Sequence, residues 1–147
     1  MSKTQILVHI VFTTKNRLQT IPLLYKRELY RYIHGVIENY KCRTLRINGM
    51  TEHVHILLDL NSKVALADLV KAIKQSSSLW MKNSHHFNLF DGWNAGYYAS
   101  SISPCDKNEC IDYIKNQEEH HGGKGLLEEL KELALKYHLE WDERDWC

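Results

Sequence analysis

Strand-like and helix-like residue patterns follow one another over the first hundred residues in an order that few small folds accommodate. Apolar β-branched runs or strict alternation mark four strands, two of which flank an Asn48-Gly49 turn signal and form a hairpin. Apolar residues at helical spacing mark two helices, one before that hairpin and one after it. The strands are predicted at residues 5–14, 42–48, 52–60 and 96–102, and the helices at residues 22–39 and 65–82.

The resulting β-α-β-β-α-β order predicts a ferredoxin-like α+β fold, in which an antiparallel sheet carries helices on one face. Two further helices are predicted after the sheet, at residues 106–120 and 125–137, with the helix-breaking pair Gly122-Gly123 between them. Because many functions share this fold, the function has to be inferred from individual side chains.

The length and composition are typical of a single globular domain. The chain has 147 residues, of which 44% are apolar and 25% are charged. We expect one domain over 1–147, with a core at about 5–121 and a C-terminal helix and tail at about 122–147. The longest apolar run, residues 6–12, is far shorter than the roughly 18 residues that cross a membrane, so no membrane association is expected.

The cysteines indicate the compartment. Cys42, Cys105, Cys110 and Cys147 are scattered along the chain and form no C-x-x-C pair. A chain of this length can build its core without disulfides, and a structural zinc site needs tighter spacing. We therefore interpret the cysteines as reduced thiols in a cytoplasmic protein.

The net charge of +1 conceals an uneven distribution. Residues 1–90 contain 13 Lys+Arg and 5 Asp+Glu, a balance of +8, whereas residues 91–147 contain 6 and 13, a balance of −7. A basic first part suits a polyanion such as nucleic acid, and an acidic end suits a solvated or docking segment. Charge alone does not establish a nucleic-acid partner, because such imbalances also arise without function.

A histidine pair lies inside the third predicted strand. Side chains alternate across a strand, so His53 and His55 project from one face about 7 Å apart, while Val54 points to the other. Two imidazoles in these positions can chelate one divalent ion. An isolated pair of this kind more often lines a half-polar sheet face, so it does not by itself establish a metal site.

A tyrosine and a glutamine lie four residues apart on the third predicted helix. Tyr113 and Gln117 are therefore neighbours on one helical face. Ile111 and Ile114 are expected on the core-facing stripe, which turns the Tyr113 face away from that part of the core. Taken alone, the pair is equally consistent with packing and with plain surface.

Together, the two pairs make chemical sense. The two imidazoles and the Gln117 amide oxygen form a three-ligand set suited to Mn²⁺ or Mg²⁺, with open positions for phosphate oxygens. A free tyrosine, with a pKa of about 10, is a poor nucleophile at neutral pH. Attack on a metal-polarised phosphodiester offsets part of that handicap, because the metal stabilises the developing charge.

At these positions the sequence resembles the HUH endonucleases that use one tyrosine. His53-Val54-His55 is similar to their His-hydrophobic-His signature, and Tyr113-x-x-x-Gln117 is similar to their catalytic helix. The specific likeness, over roughly residues 5–135, is to the transposases of the smallest bacterial insertion sequences and their REP-associated relatives. Further matching motifs are Thr14-Lys15-Asn16-Arg17, Ile73-Lys74-Gln75-Ser76-Ser77-Ser78, Trp93-x-x-Gly96-Tyr97 and Asn116-Gln117-x-x-His120-His121.

The resemblance implies a homodimeric transposase that cuts and rejoins single-stranded DNA at hairpin-bearing ends. It implies that Tyr113 attacks the scissile phosphate, leaving a 5′-phosphotyrosine and a free 3′-OH that later reverses the step. It assigns His53, His55 and Gln117 to a Mg²⁺ or Mn²⁺ ion. In the family the tyrosine helix of one subunit often completes the site of the other, so assembly in cis and in trans both stay open.

The basic part of the chain supplies candidates for phosphate contacts, although each alone is more often a solvated surface charge. The resemblance also gives His120 and His121 a supporting place near the active site. The candidate phosphate contacts are Lys15, Arg17, Lys71 and Lys74.

Two other functions stay open. The first is a domesticated, non-mobile relative that binds or processes repeated REP hairpins in its host genome with the same chemistry. The second is a non-catalytic ferredoxin-like module that binds nucleic acid, in which the histidines and the tyrosine only line the sheet. Cleavage of labelled hairpin DNA with Mg²⁺ or Mn²⁺ distinguishes the second from an enzyme.

Overall fold

Four antiparallel strands in the order β2-β3-β1-β4 form the centre of the molecule. The structure, a computed structural model, describes residues 2–120, 125–142 and 144. The strands are β1 (Leu7–Thr13), β2 (Arg43–Gly49), β3 (His53–Asp59) and β4 (Tyr98–Ser101); the helices are α1 (Lys26–Asn39), α2 (Leu66–Lys82), α3 (Lys107–Lys115), α4 (Gln117–His120) and α5 (Leu126–Lys136).

The two longest apolar strands lie in the middle of the sheet. β1 pairs with β3 on one side and with β4 on the other, and β2 pairs with β3 through the predicted hairpin. The register sets Val11 opposite His55 and Thr13 opposite His53. The predicted ferredoxin-like α+β fold with an antiparallel sheet is therefore confirmed.

Helices cover both faces of the sheet. α1 and α2 pack on the face that carries Ile10, Phe12 and Ile56, which belong to the main apolar core. On the opposite face, Ile114 of α3 and Leu130 of α5 anchor two smaller clusters. α1 and α2 are thus the helices that were predicted on one face of the sheet. The C-terminal helices cover the opposite face, toward which the intervening residues of β1 and β3 point.

The helix predicted over residues 106–120 is divided in two. Asn116 interrupts it with φ −97° and ψ 27°, and α4 begins at Gln117. Asn48 of β2 explains the break, because its Nδ2 donates to the last two carbonyls of α3 at 3.1 and 3.0 Å. A continuous helix would pair those carbonyls with backbone N–H groups four residues further on. A side chain from the sheet thus ends the helix just before Gln117.

The hairpin turn lies slightly later than its sequence signal. Gly49 is the last residue of β2 and pairs with Val54, so the turn comprises residues 50–52. A Cβ atom on Gly49 would come within 2.1 Å of the His53 carbonyl oxygen, which only glycine avoids. Gly49 therefore lets β2 approach the start of β3, where His53 lies.

The first helix begins later than predicted. Pro22 was expected in its first turn, but a separate turn closed by a Tyr25 N–H to Pro22 carbonyl bond of 3.0 Å comes first. Leu23 and Leu24, which fit the helical spacing, are 48% and 81% exposed. Because these two side chains bury little surface, packing does not draw them into the helix.

The cysteines within the described residues are free thiols. Cys42 and Cys110 are buried and Cys105 is exposed, whereas Cys147 lies outside the described residues. None of the helices in the described residues is long and apolar enough to cross a membrane.

Candidate active site

His53 and His55 lie side by side on the sheet face that α3 and α5 cover. Both imidazoles come from β3, an interior strand, and both are fully buried. Their ring centroids are 5.0 Å apart. The pair therefore belongs to a closed polar site between sheet and helices instead of a half-exposed sheet surface.

Gln117 comes from the first position of α4 and meets this pair within the same chain. Its side chain is fully buried, and Oε1 lies 3.1 Å from His53 Nε2. Its Nε2 donates to the Tyr113 carbonyl at 3.3 Å, which orients the amide across the helix break. The structure thus brings together the imidazole and the amide that were predicted as ligands of one ion.

Tyr113 lies against the same polar site. Its ring centroid is 5.7 Å from that of His55, and its Oη is buried. The expectation that Ile111 and Ile114 turn Tyr113 away from the core is wrong, since Tyr113 packs on the cluster around Ile114. The buried positions of α3 are Cys110 and Ile114, and at about 100° per residue Tyr113 lies at the edge of their face.

Glu52 orients His53. Its Oε1 lies 2.5 Å from His53 Nδ1, at the side of the ring opposite to Gln117. A carboxylate accepts from the ring, so His53 donates through Nδ1, and a cation would be bound through Nε2. This carboxylate–histidine arrangement is the one that fixes metal-binding imidazoles in proteins.

The residues present fit a divalent ion held by two imidazoles and an amide. Within the described ranges, no three His, Cys, Asp or Glu side chains form a group that could hold a metal ion, so the amide is needed for a third ligand. The 3.1 Å between His53 Nε2 and Gln117 Oε1 matches the roughly 3.0 Å between adjacent ligands of an octahedral ion with bonds of about 2.1 Å. The set is therefore compatible with Mg²⁺ or Mn²⁺.

His9, which the sequence analysis did not select, contacts His55. Its Nε2 lies 2.9 Å from His55 Nδ1, and the two rings stack with centroids 5.1 Å apart. Burial lowers the pKa of His9 to about 4, so this ring is neutral at pH 7 and can accept a hydrogen bond. When His9 accepts, His55 donates through Nδ1 and keeps the Nε2 lone pair for a cation.

Glu129 of α5 is a second residue that the sequence analysis missed. Its Oε1 lies 3.8 Å from His55 Nε2 and 3.4 Å from Gln117 Nε2. Burial raises the pKa of this carboxyl to about 7, while His53 acts in the opposite direction. The signal in the sequence was an acid on the apolar stripe of α5, three residues after Leu126.

The four candidate phosphate contacts lie in different environments. Lys15 is exposed and pairs with Asp91 at 3.6 Å, Arg17 is partly buried just after β1, and Lys71 is exposed. Lys74 donates to two carbonyls of the loop before β4, at 2.9 and 2.5 Å, and burial lowers its pKa to about 8. Lys74 therefore ties that loop to α2, and phosphate contacts by all four residues stay a prediction.

The supporting histidines fall where the structure gives no side chains. His120 is the last residue of α4, which starts at Gln117, but its side chain and all of His121 lie outside the described residues. Their role near the active site stays a prediction.

Comparison with known proteins places this geometry in a family. The profile of IS200-like transposases matches residues 2–117, a range that includes both histidines, Tyr113 and Gln117. The chain belongs to the IS200-like transposase family. The transposases for insertion sequence element IS200 of Salmonella typhimurium and Salmonella typhi are each 27% identical to it over 124 residues, which cover 80% of this chain and 81% of theirs. The resemblance stated from the sequence is thereby confirmed.

Solved structures share the fold of this IS200-like transposase. A crystal structure of a candidate transposase from Deinococcus radiodurans R1 matches 79% of this chain and 93% of that chain, with a TM-score of 0.59 and 22% identity. A REP-associated tyrosine transposase bound to a REP hairpin matches 83% of this chain and 75% of that chain, with a TM-score of 0.63 and 18% identity. At these identities the likeness establishes the architecture alone.

Proposed function

We propose that this IS200-like transposase cleaves and rejoins single-stranded DNA at the hairpin-bearing ends of a mobile element through a metal-assisted tyrosine nucleophile. The observation that carries the proposal is the convergence of an imidazole pair, an amide and a phenol in one buried site. His53 Nε2 lies 3.1 Å from Gln117 Oε1, and the ring of Tyr113 lies 5.7 Å from that of His55.

His53, His55 and Gln117 hold the divalent ion in this proposal. When bound there, a Mg²⁺ or Mn²⁺ ion would polarise the scissile phosphodiester and offset charge on its oxygens. With Glu52 and His9 accepting from the Nδ1 atoms of the two ligand imidazoles, the Nε2 atoms would be left to bind the ion.

Tyr113 supplies the nucleophile. Its phenol oxygen bonds to phosphorus, the bond from phosphorus to the 3′ oxygen breaks, and the departing strand keeps a 3′-OH that takes up the proton. The products are a 5′-phosphotyrosine and a free 3′-OH, whose attack on the phosphotyrosine reverses the step without an external energy source. The burial of the Tyr113 Oη means that the side chains around it must shift before a DNA strand reaches it.

The partner of this chemistry is single-stranded DNA with hairpin ends, on the chromosome and in the cytoplasm. We propose that the protein acts as a homodimer. The contacts of Tyr113 and Gln117 described above are made within one chain, so assembly of the site in cis is geometrically possible. Exchange of the α3–α4 segment between subunits would preserve the same contacts in trans, and mixing Tyr113→Phe with His53→Ala subunits separates the two. Activity recovered in the mixture indicates a shared site, and none indicates assembly in cis.

A second candidate function is a domesticated hairpin nuclease. The similarity in fold to a REP-associated tyrosine transposase bound to a REP hairpin favours it. The chemistry would be unchanged, and only the DNA differs. Cleavage of repeated genomic hairpins, in the absence of insertion-sequence ends beside the gene, would support this function.

The experiment that tests the proposal is the search for a covalent adduct with DNA. Labelled single-stranded hairpin DNA from the flanks of the gene is incubated with the protein and Mg²⁺ or Mn²⁺, and the products are separated under denaturing conditions. Tyr113→Phe should abolish the adduct, whereas Tyr40→Phe, at an exposed tyrosine after α1, should leave it unchanged. Adducts that persist in Tyr113→Phe would refute the assignment, and a wild-type protein that only binds would indicate a non-catalytic module.

A further inference from the structure

A polar cavity of about 430 Å³ lies beside the candidate active site, between α1, β2 and the junction of α3 with α4. Lys115 and Asn116 form its wall on the helix side, directly between Tyr113 and Gln117 in the chain. The cavity is therefore within two residues of both the proposed nucleophile and a proposed metal ligand.

The charge of the cavity is strongly positive. Its only carboxylate among the described lining residues is Glu118, so four cations and one anion give a balance of +3. Arg27, Arg46 and Lys115 are exposed, which leaves their charged groups accessible to a ligand. The four cations are Lys26, Arg27, Arg46 and Lys115.

Lys26 forms the base of the cavity and is held in place from several directions. It is buried, and its Nζ donates to Glu118 Oε1 at 2.7 Å, to Asn48 Oδ1 at 3.2 Å and to the Gly49 carbonyl at 3.4 Å. Glu118 is exposed, whereas Lys26 is not. The acid is thus the movable member of the pair, and an incoming anion can take its place on a fixed ammonium group.

Tyr30 provides an independent observation at the same site. It lines the cavity from α1, and its buried Oη has no hydrogen-bond partner among the described residues. A buried hydroxyl is normally hydrogen-bonded, so the Tyr30 hydroxyl is available to donate to a ligand in this cavity. A phosphate oxygen is an acceptor for such a hydroxyl, and it also suits the surrounding guanidinium and ammonium groups.

We propose that this cavity binds a backbone phosphate of the single-stranded DNA that flanks the cleavage site. The inference rests on the proposed function, since it requires that DNA is the ligand of this chain. The bound phosphate displaces Glu118 from Lys26 and accepts from Arg46, while the strand continues toward Tyr113.

Binding is tested in the full chain carrying Tyr113→Phe, so that affinity is read without cleavage. The ligand is a labelled hairpin oligonucleotide with single-stranded flanks, titrated at several salt concentrations. Arg46→Ala should weaken binding about 3- to 10-fold and lower the salt slope by about 0.7 to 1, the share of one phosphate contact. Lys82→Ala, at an exposed lysine that ends α2, is the matched control and should change neither quantity.

Two further variants separate phosphate binding from general charge. Tyr30→Phe removes only the hydroxyl and should weaken binding without lowering the melting temperature. Glu118→Gln removes the competing anion and should tighten binding. A single neutral methylphosphonate linkage at the contacted position should weaken binding to the parent chain and have no further effect on Arg46→Ala.

The outcomes distinguish this inference from the proposed function. A parent chain that does not bind the hairpin, or a wild-type chain that forms no adduct, overturns the proposed function. Binding and adduct formation that are normal in the wild type, with Arg46→Ala no weaker than Lys82→Ala, overturn the cavity proposal alone. The cavity proposal is also overturned if every methylphosphonate that weakens binding to the parent chain weakens binding to Arg46→Ala as well.

Discussion

The two faces of the sheet bury alternate residues of the same strands, but one face is apolar and the other combines two apolar clusters with a buried group of polar side chains. Under α1 and α2, Ile10, Phe12 and Ile56 form an apolar core. Under α3 and α5, His9 and His55 are as deeply buried, yet both are polar. Adjacent residues of one strand therefore face different environments. One packs in the apolar core and contributes to stability, and the next faces the polar site.

This difference explains how a small domain can bury a group of polar side chains between its sheet and two of its helices. Buried polar groups are costly unless they are hydrogen-bonded, and the site meets that requirement through neighbouring side chains such as His9, Glu52 and Gln117. The apolar face lets the domain carry a second face that contributes less to stability. Substitutions on the two faces should therefore separate stability from activity.

The largest effect is expected for His55→Ala on the polar face. Loss of a proposed ion ligand should reduce cleavage of hairpin DNA by at least about 1000-fold with Mg²⁺ or Mn²⁺, because a divalent ion would lose one of its three ligands. The free energy of unfolding should fall by about 1–3 kcal/mol, because the substitution leaves His9 without its bond to His55 but also removes a buried polar ring. Gel-based cleavage rates and urea unfolding test both parts, and a large loss of stability with normal cleavage would contradict the comparison.

The neighbouring Ile56→Ala should do the reverse. It removes apolar atoms from the face under α1 and α2 and should lower the free energy of unfolding by about 2–5 kcal/mol. Cleavage per folded molecule, measured at low temperature, should stay within about threefold of the wild type. If this variant lost cleavage while fully folded, the division between the faces would be wrong.

A smaller effect is expected for His9→Leu, which removes the acceptor that orients His55. The affinity for Mn²⁺ should fall about 10- to 100-fold, and His9→Gln should recover part of it, since an amide oxygen can accept from His55 Nδ1. His34→Leu, at an exposed histidine of α1, is the control for loss of an imidazole. Equal losses in His9→Leu and His9→Gln would indicate packing instead of orientation.

The smallest effect concerns the pH dependence of stability through Glu129. Burial raises the pKa of its carboxyl to about 7, above the ordinary 4.5, so the folded chain holds this proton over that interval while the unfolded chain releases it. The contribution of Glu129 to stability therefore falls as pH rises from about 4.5 to 7. Between pH 5 and 8, the free energy of unfolding of metal-free Glu129→Gln should rise relative to that of the wild type by on the order of 1 kcal/mol.

Urea unfolding across that pH range measures this gain, and Glu128→Gln is the matched control at an exposed neighbour in α5. An identical pH profile for Glu129→Gln and wild type would show that the carboxyl does not titrate near pH 7.

The sequence predicts most of the architecture because its signals are local. Alternation and helical spacing identify the four strands and α1 and α2, and strand alternation sets His53 and His55 on one face. The break at Asn116 was not predictable in this way. It depends on the Asn48 side chain, which lies in another strand and takes the last carbonyls of α3.

The residues of the candidate site likewise fall into two groups, those that a local motif identifies and those that depend on contacts between distant segments. His53, His55, Tyr113 and Gln117 belong to short motifs, so the resemblance to a family could identify them. The contacts of His9 and Glu129 depend on the register of β1 against β3 and on the packing of α5, which connect residues distant in sequence. No single segment contains the information that brings these two side chains to His55.

The central claim is that one cation is shared by the imidazole pair of the sheet and the amide of the helix junction. Electron spin-echo spectroscopy of bound Mn²⁺ tests it directly, because imidazole nitrogens couple to the ion. We expect one Mn²⁺ per chain, coupled to two nitrogens. His53→Ala should leave one coupled nitrogen, whereas Gln117→Ala should weaken Mn²⁺ binding and keep both. Mn²⁺ without nitrogen coupling, or a spectrum unchanged in His53→Ala, would contradict it.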